Sequence, residues 1–317
     1  MNSKVNRGIP KAESIFAYVL LLLIFGCATL SPEPFNQFSS SVKEAQTGID
    51  EGMTITYNWT RAGFLEGFSS DQNANFSQLI IVPGKGYDWQ WTIDPQPVYL
   101  TIRKTQLAVL ELTSAFVDYA SLLAKLAGNE LVSTETFEQL AKDLNKNAND
   151  AVKALKLDVS TTNIAILSTA ASELLRSYIE NKRQEYLRDA ILDNQQNIQD
   201  YSNICISLIH TIRGAIKTYY AERYEPIRIA WDSSTGVKRL KETQKMINLN
   251  EQFVDTIRVL QELEIAYSSL PKAHADLAKS IENPTLSLDD IQTLYSSAKR
   301  LQRLYNELKE AESENQN

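Results

Sequence analysis

Residues 187–219 read LRDAILDNQQNIQDYSNICISLIHTIRGAIKTY, and mostly apolar side chains recur in them at alternating steps of four and three. The recurring residues are Leu187, Ile191, Asn194, Ile198, Tyr201, Cys205, Leu208, Ile212, Ala215 and Tyr219. A seven-residue repeat of this length predicts a helix that packs against other helices as in a coiled coil. Asn194 is the single polar member, and such a residue usually fixes the register of the packing.

The helix around this repeat extends upstream without a breaking residue. Neither Pro nor Gly occurs between Asp158 and Arg213, so one helix of about 60 residues, roughly 90 Å long, is compatible with the sequence. A second apolar row at residues 164–178 has a different phase, which leaves open a stutter or a break near residues 179–186. Downstream, Pro226 is expected to end or kink the helix.

Similar periodicity predicts further helices on both sides. Gly (11) and Pro (9) are scarce for 317 residues, and 43% of the residues are hydrophobic, which favours long helices around a shared core. The sequence therefore predicts an all-α fold, an elongated multi-helix bundle with coiled-coil-like long helices. The predicted helices cover residues 35–64, 95–127, 133–152 and 236–270, a short segment from Pro271 to about 281, and residues 291–308.

The bundle domain is predicted to occupy residues 35–312, with one irregular insertion at about 67–94. Helical periodicity is lost in this insertion, which contains a short β-like run at residues 79–82 followed by a turn. Gly128 is a natural stop for the second helix. Residues 313–317 are expected to form a polar tail.

The N-terminal segment has the organisation of an export signal. Three basic residues, Lys4, Arg7 and Lys11, precede an unbroken apolar run at residues 15–25. The run is shorter than the roughly 20 apolar residues that a transmembrane helix needs. It has the length of the hydrophobic region of a signal peptide, which we place at residues 1–26.

Gly26-Cys27 follows this run directly and, with Ile24 three residues before the cysteine, resembles a bacterial lipobox. The resemblance covers residues 1–30 and identifies the chain as similar to bacterial lipoproteins. It implies lipid attachment to the sulfur of Cys27, cleavage before Cys27 and acylation of the new amine. Two or three acyl chains hold a protein on a membrane much more firmly than one. Residues 27–34 are then the lipidated cysteine and a short tether.

The resemblance also implies a location. We expect an exported protein that is lipid-anchored to the outer membrane on its periplasmic or surface face, or to the cell membrane where no outer membrane exists. Ala28 follows the cysteine, where an aspartate would resemble an inner-membrane retention signal of enteric bacteria. An uncleaved signal anchor with an incidental Cys27 is the alternative.

The net charge argues against one class of partner. The chain has 32 basic and 39 acidic residues, a net charge of −7, and loss of residues 1–26 makes it −9. Nucleic acid is not an expected partner, because its phosphates require clustered Lys and Arg. The basic and tyrosine-rich stretch at residues 213–228 is therefore interpreted as a solvated helix face.

The sequence contains no motif typical of a catalytic or metal site. Neither His210 nor His274 has a metal-ligating residue at helical spacing, and the sequences H-E-x-x-H, C-x-x-C and G-x-S-x-G are absent. Cys205 is flanked by isoleucines and is interpreted as a small buried hydrophobe. Asp289 and Asp290 stand where the last helix starts and complement its dipole. We predict no catalytic residue, no metal and no cofactor.

The most unusual constellation is an aromatic and polar run in the insertion. Tyr87, Asp88, Trp89 and Trp91 form a candidate binding loop that could stack on a sugar ring or hold a peptide. The alternative is that the two tryptophans fold back and close the end of the bundle. Burial of their apolar area would then stabilise the fold by on the order of a few kcal/mol.

Three classes of function compete on these observations. We favour a non-catalytic interaction, scaffold or accessory protein that binds the membrane through its lipid and presents helical faces to another envelope protein. A binding module for a small apolar or sugar ligand is the second. A pore-forming or membrane-remodelling protein is the third, although after residue 27 we expect no run of membrane-spanning length. A homo-oligomer is left open.

Overall fold

The computed structural model describes residues 30–74, 81–82, 90–91, 97–128, 183–283 and 288–314, with isolated residues at 139, 142 and 146. These residues form six helices and one pair of short antiparallel strands. The helices are α1 (Glu33–Ser70), α2 (Val98–Ala127), α3 (Arg183–Asp193), α4 (Gln195–Asp232), α5 (Gly236–Glu282) and α6 (Asp289–Glu314). The strands are β1 (Ile81–Val82) and β2 (Gln90–Trp91). The predicted all-α bundle is confirmed.

Helix α1 runs antiparallel to α5 along the bundle. Near the start of α1 the ring of Phe38 lies 6.1 Å from that of His274, and further along Gly52 lies against Val259. The 47 residues of α5 correspond to about 70 Å of helix at 1.5 Å per residue. Helix α1 therefore begins at the end of the bundle that is remote from the turn between α4 and α5.

The seven-residue repeat faces the core as predicted, because nine of its ten residues are buried. The exception is Ala215, which is half-buried, whereas its neighbour Ile216 is fully buried. An α-helix drifts by about 20° per heptad relative to a strict seven-residue repeat. Over the four heptads from Leu187 to Ala215 the accumulated drift approaches the rotation about the helix axis from one residue to the next. The buried position therefore moves from Ala215 to Ile216.

Asn194 alone separates α3 from α4. The backbone hydrogen bonds continue across it, since its N–H donates to the Ala190 carbonyl at 3.2 Å and the Ile198 N–H donates to the Asn194 carbonyl at 3.1 Å. The Asn194 side-chain amide donates to the same Ala190 carbonyl at 2.7 Å. Competition of this kind perturbs a helix locally. The upstream row at residues 164–178 lies outside the described residues.

Pro226, which was expected to end or kink its helix, and Pro271, which was expected to interrupt its helix, both lie inside continuous helices. The predicted helix ends at these positions were therefore wrong. Helix α4 continues for six residues beyond Pro226, and α5 for eleven beyond Pro271. A proline removes one N–H and leaves the carbonyl four residues earlier without its helical donor. For Pro271 this is the Tyr267 carbonyl, to which the Ser202 hydroxyl of α4 donates at 2.7 Å. A neighbouring helix thus supplies the missing donor.

Replacing Ser202 with alanine should lower the free energy of unfolding by about 1–3 kcal/mol, because the buried Tyr267 carbonyl would lose its donor. Adding Pro271→Ala should recover part of the loss, since alanine restores a backbone N–H. Denaturant unfolding of the two single variants and the double variant gives the coupling energy. Strictly additive effects would show that the hydroxyl does not compensate for the proline.

The boundaries of the elements differ slightly from the predicted ones. Helix α1 continues to Ser70, so the irregular insertion starts after residue 70 rather than at 67. Helix α6 reaches Glu314, two residues into the predicted tail. The predicted helix at residues 133–152 lies outside the described residues, apart from three isolated positions.

Helix α2 is long and apolar enough to cross a membrane, alone among the described helices. This corrects the expectation that no run after residue 27 has such a length. Seventeen of its residues are buried in the bundle, and a buried core helix meets the same criterion of length and composition as a membrane span. Its outward-facing side carries the exposed Asp118. Helix α2 is a core element of this fold.

Candidate functional site

The predicted site residues fall mostly outside the described part of the chain. Cys27, Tyr87, Asp88 and Trp89 lie outside it, as does the side chain of Trp91. The backbone of Gln90–Trp91 forms β2, which pairs antiparallel with β1 and brings Trp91 opposite Ile81. Only the backbone of the last residues of the aromatic run is thus described, and the two interpretations of the run, ligand platform or bundle plug, both stay hypotheses.

His274 is the centre of a polar network in the core. Its Nδ1–H donates to the Oε1 of Gln195 at 2.9 Å, and its Nε2 accepts from the Tyr119 hydroxyl at 3.0 Å. The amide nitrogen of Gln195 donates to the Pro271 carbonyl at 2.7 Å, so its oxygen faces the imidazole. Burial lowers the pKa of His274 from 6.5 to about 3, which keeps the ring neutral. Both ring nitrogens are therefore used structurally.

A second buried polar group surrounds Cys205. The Thr113 Oγ1 lies 2.7 Å from the Tyr267 hydroxyl and accepts a hydrogen bond from the Tyr201 hydroxyl at 3.3 Å. Burial raises the pKa of the Cys205 thiol to about 12. A thiol that stays protonated is a poor nucleophile. The predicted role of Cys205 as a small buried hydrophobe is confirmed by its burial.

The core beside these networks offers no room for a ligand. The enclosed space lined by Phe116, Tyr201 and Tyr267 has a volume of about 10 Å³. This is roughly the least that one water molecule needs, whereas a small-molecule pocket has about 300–1,000 Å³. The networks hold α2, α3–α4 and α5 in register and do not form a binding pocket at this point.

The basic stretch at residues 213–228 is a helix face, as predicted. Three of its four cationic side chains form ion pairs with carboxylates of the same chain, which leaves them poorly placed to bind phosphates. The pairs are Arg213 with Glu264, Arg223 with Glu66, and Arg228 with Glu225 and Asp232.

The ends of α4 and α5 project from the bundle as a two-helix arm, residues 225–248. Among the described residues, the side-chain hydrogen bonds, ion pairs and ring contacts of the arm are made only within α4 and α5. Just below the arm Arg223 still donates to the Gly63 carbonyl of α1 at 3.4 Å. Ile227, in the first turn of the arm, still packs against the core cluster, and the rest of the arm extends beyond the end of α1 at Ser70.

The arm exposes aliphatic side chains. Val237 is 84% exposed, Leu240 68%, Ile229 55% and Ile247 43%. Single apolar residues are common on protein surfaces, but several close together on a projecting element are typical of an interaction site. Sequence periodicity missed this arm, because the predicted helix end at Pro226 placed its first half outside any helix.

The two helices of the arm are joined by specific contacts. The Trp231 indole N–H donates to the Thr243 hydroxyl at 3.0 Å, and the Arg239 guanidinium lies 4.4 Å from the centre of the Trp231 ring. Cation–π contacts of this kind contribute about 0.5–1 kcal/mol at exposed sites. At the turn Gly236 has a φ of +57°, which glycine adopts without strain. The arm is thus a defined element that exposes aliphatic side chains among charged ones.

No cluster of three or more potential metal ligands occurs within the described ranges. The features that stand out there are the buried networks, which are structural, and the arm, which is exposed. No family model matches the chain, and neither the curated proteins nor the solved structures include a significant match to it.

Proposed function

We propose that the protein is an exported lipoprotein, tethered through Cys27, that acts without catalysis as an interaction or scaffold protein of the cell envelope. The lipobox-like sequence supports the tether. The single observation that supports the contact role is the arm, with four exposed aliphatic side chains on a projecting pair of helices. Interfaces of proteins are centred on apolar and aromatic residues that are withdrawn from water on binding.

The alternatives have less support. A small apolar ligand held between helices would need an enclosed apolar cavity, and the core near Phe116 provides about 10 Å³. The larger clefts of the described bundle, about 580 and 560 Å³, are open and are lined by carboxylates such as Glu51 and Glu262. A pore would need helices that leave the bundle, yet α2, the most apolar described helix, contributes seventeen residues to the core. A ligand-binding platform at residues 87–91 stays the second candidate, because that segment is rich in aromatic and polar residues.

Photo-cross-linking in native membranes tests this proposal. A photoreactive amino acid at Leu240, on the arm, should give a cross-linked adduct, whereas one at Thr211, exposed on the body of α4, should not. The variant Cys27→Ala should lose both fatty-acid label and adduct, because the contact depends on tethering. If Leu240 gives no adduct while position 89 does, the contact surface is the aromatic run at residues 87–91 and the arm has no such role.

A further inference from the structure

The outward face of α5 carries a seven-residue repeat of its own. Its members are spaced alternately by three and four residues, and all of them are exposed. We call this set the outer row: Val237, Leu240, Gln244, Ile247, Glu251, Val254, Arg258, Gln261 and Ile265. The opposite face of α5, which includes Leu249, Leu260 and Leu263, packs into the core. The bundle buries only the opposite face. The outer row, in which five of nine members are aliphatic, therefore has no helix packed on it among the described residues.

Charges along α5 are arranged with opposite sign in its two halves. Residues 236–248 carry four basic side chains and one acidic, and residues 249–265 carry four acidic and one basic. The basic residues stand at the N-terminal end of α5, where the helix dipole disfavours them. Their position therefore does not stabilise this helix by itself, which points to an external acidic partner.

The charges that are not already paired lie on opposite sides of Ile247, the basic ones before it and the acidic ones after it. Lys238 and Lys241 make no ion pair among the described residues, and neither does Glu251. Asp255 has one, to Arg258 at the limiting distance of 4.0 Å. The two lysines precede Ile247 by nine and six residues, and the two carboxylates follow it by four and eight.

We propose that the outer row binds the outer row of a second copy of this chain, with the two α5 helices antiparallel and a two-fold axis close to Ile247. This inference rests on the proposed interaction role and names the partner. The two-fold axis places Leu240 of one copy beside Val254 of the other and Lys241 beside Asp255. Self-complementary two-fold contacts of this kind are the commonest arrangement in homo-oligomers. A parallel pair would instead bring lysines against lysines.

Disulfide cross-linking of the full-length protein in its membrane tests the arrangement. The native thiols do not interfere, because Cys205 is buried and Cys27 is proposed to carry lipid. Under mild oxidation Ile247→Cys should give a covalent dimer of twice the chain mass. Leu240→Cys and Val254→Cys should each give at least tenfold less alone, and should form the dimer when the two variants are co-expressed. Disulfides require Cβ atoms within about 4.5 Å, so the pattern reports the orientation.

Charge exchange provides a second readout. Lys241→Glu should reduce the Ile247→Cys dimer at least tenfold, and adding Asp255→Lys in the same chain should restore it. Equal cross-linking of Leu240→Cys with itself would overturn the antiparallel arrangement. A Leu240 photo-adduct of a different mass, with no chain dimer, would overturn this inference while leaving the proposed function standing. If no adduct of any kind forms at the arm, both fail.

Discussion

Replacing Gly52 with alanine should lower the free energy of unfolding by about 1–3 kcal/mol, the cost of overpacking a tight core. A β-carbon at this position would lie 2.5 Å from the Cγ1 of Val259, and Val259 is a branched, buried side chain with little freedom to move. In an unpacked helix the same substitution would be favourable by up to about 1 kcal/mol. The contact between α1 and α5 therefore makes the substitution destabilising, whereas it would stabilise an isolated helix.

A matched control lies in α4. Gly214 is exposed within the helix, and a β-carbon there meets no atom within 4 Å. Gly214→Ala should raise the free energy of unfolding by about 0.5–1 kcal/mol. Denaturant midpoints of the two variants should therefore move in opposite directions from that of the unchanged chain. Stabilisation by both alanines would mean that α1 and α5 are not closely packed at Gly52.

The stability of the bundle should fall as the pH drops below about 6.5, and His274 should account for much of the fall. Its pKa is lowered to about 3 in the folded protein by burial, whereas the unfolded chain takes up the proton near 6.5. The unfolded state thus binds more protons between these values, so the contribution of His274 is complete above pH 6.5 and is lost towards pH 3. Between pH 7.5 and 5 the expected loss is about 2 kcal/mol.

Unfolding measurements at the two pH values separate this effect from other titrations. His274→Gln should be less stable at pH 7.5, because it breaks the network with Tyr119, but it should lose about 2 kcal/mol less on acidification. Gly214→Ala, which removes no titratable group and whose added β-carbon meets no atom within 4 Å, should keep the pH dependence of the unchanged chain. Equal pH dependence in all three proteins would show that His274 is not the group responsible.

Periodicity was sufficient to predict the helices and the buried face of the repeat. The apolar spacing of residues 187–219 depends only on helical geometry and on which side chains avoid water, and both are local properties of the sequence. Even the shift from Ala215 to Ile216 follows from helical drift. The burial of His274 could have been inferred in the same way, since it continues the row of Tyr267, Leu270 and Leu277 by steps of three and four.

The errors concern contacts between helices that are distant in sequence. Pro271 reads as a break because its own helix cannot supply a donor, and the compensating Ser202 lies 65 residues from the carbonyl it binds. Likewise, Gly52 weakens an isolated helix, yet in the bundle it permits close approach to Val259. The first half of the arm was missed because Pro226 was expected to end the preceding helix, which in fact continues to Asp232.

The position of the start of α1 limits how a pair of chains could sit on a membrane. Because α1 begins at the end of the bundle remote from the arm, the proposed antiparallel pair would carry the two proposed lipid tethers at opposite ends. Both tethers reach the same bilayer only if the long axis of the pair is parallel to the membrane surface. The two-fold axis of the pair is then perpendicular to the membrane. Such a pair would lie parallel to the membrane surface. Its two lipid anchors would be separated by more than the length of one bundle.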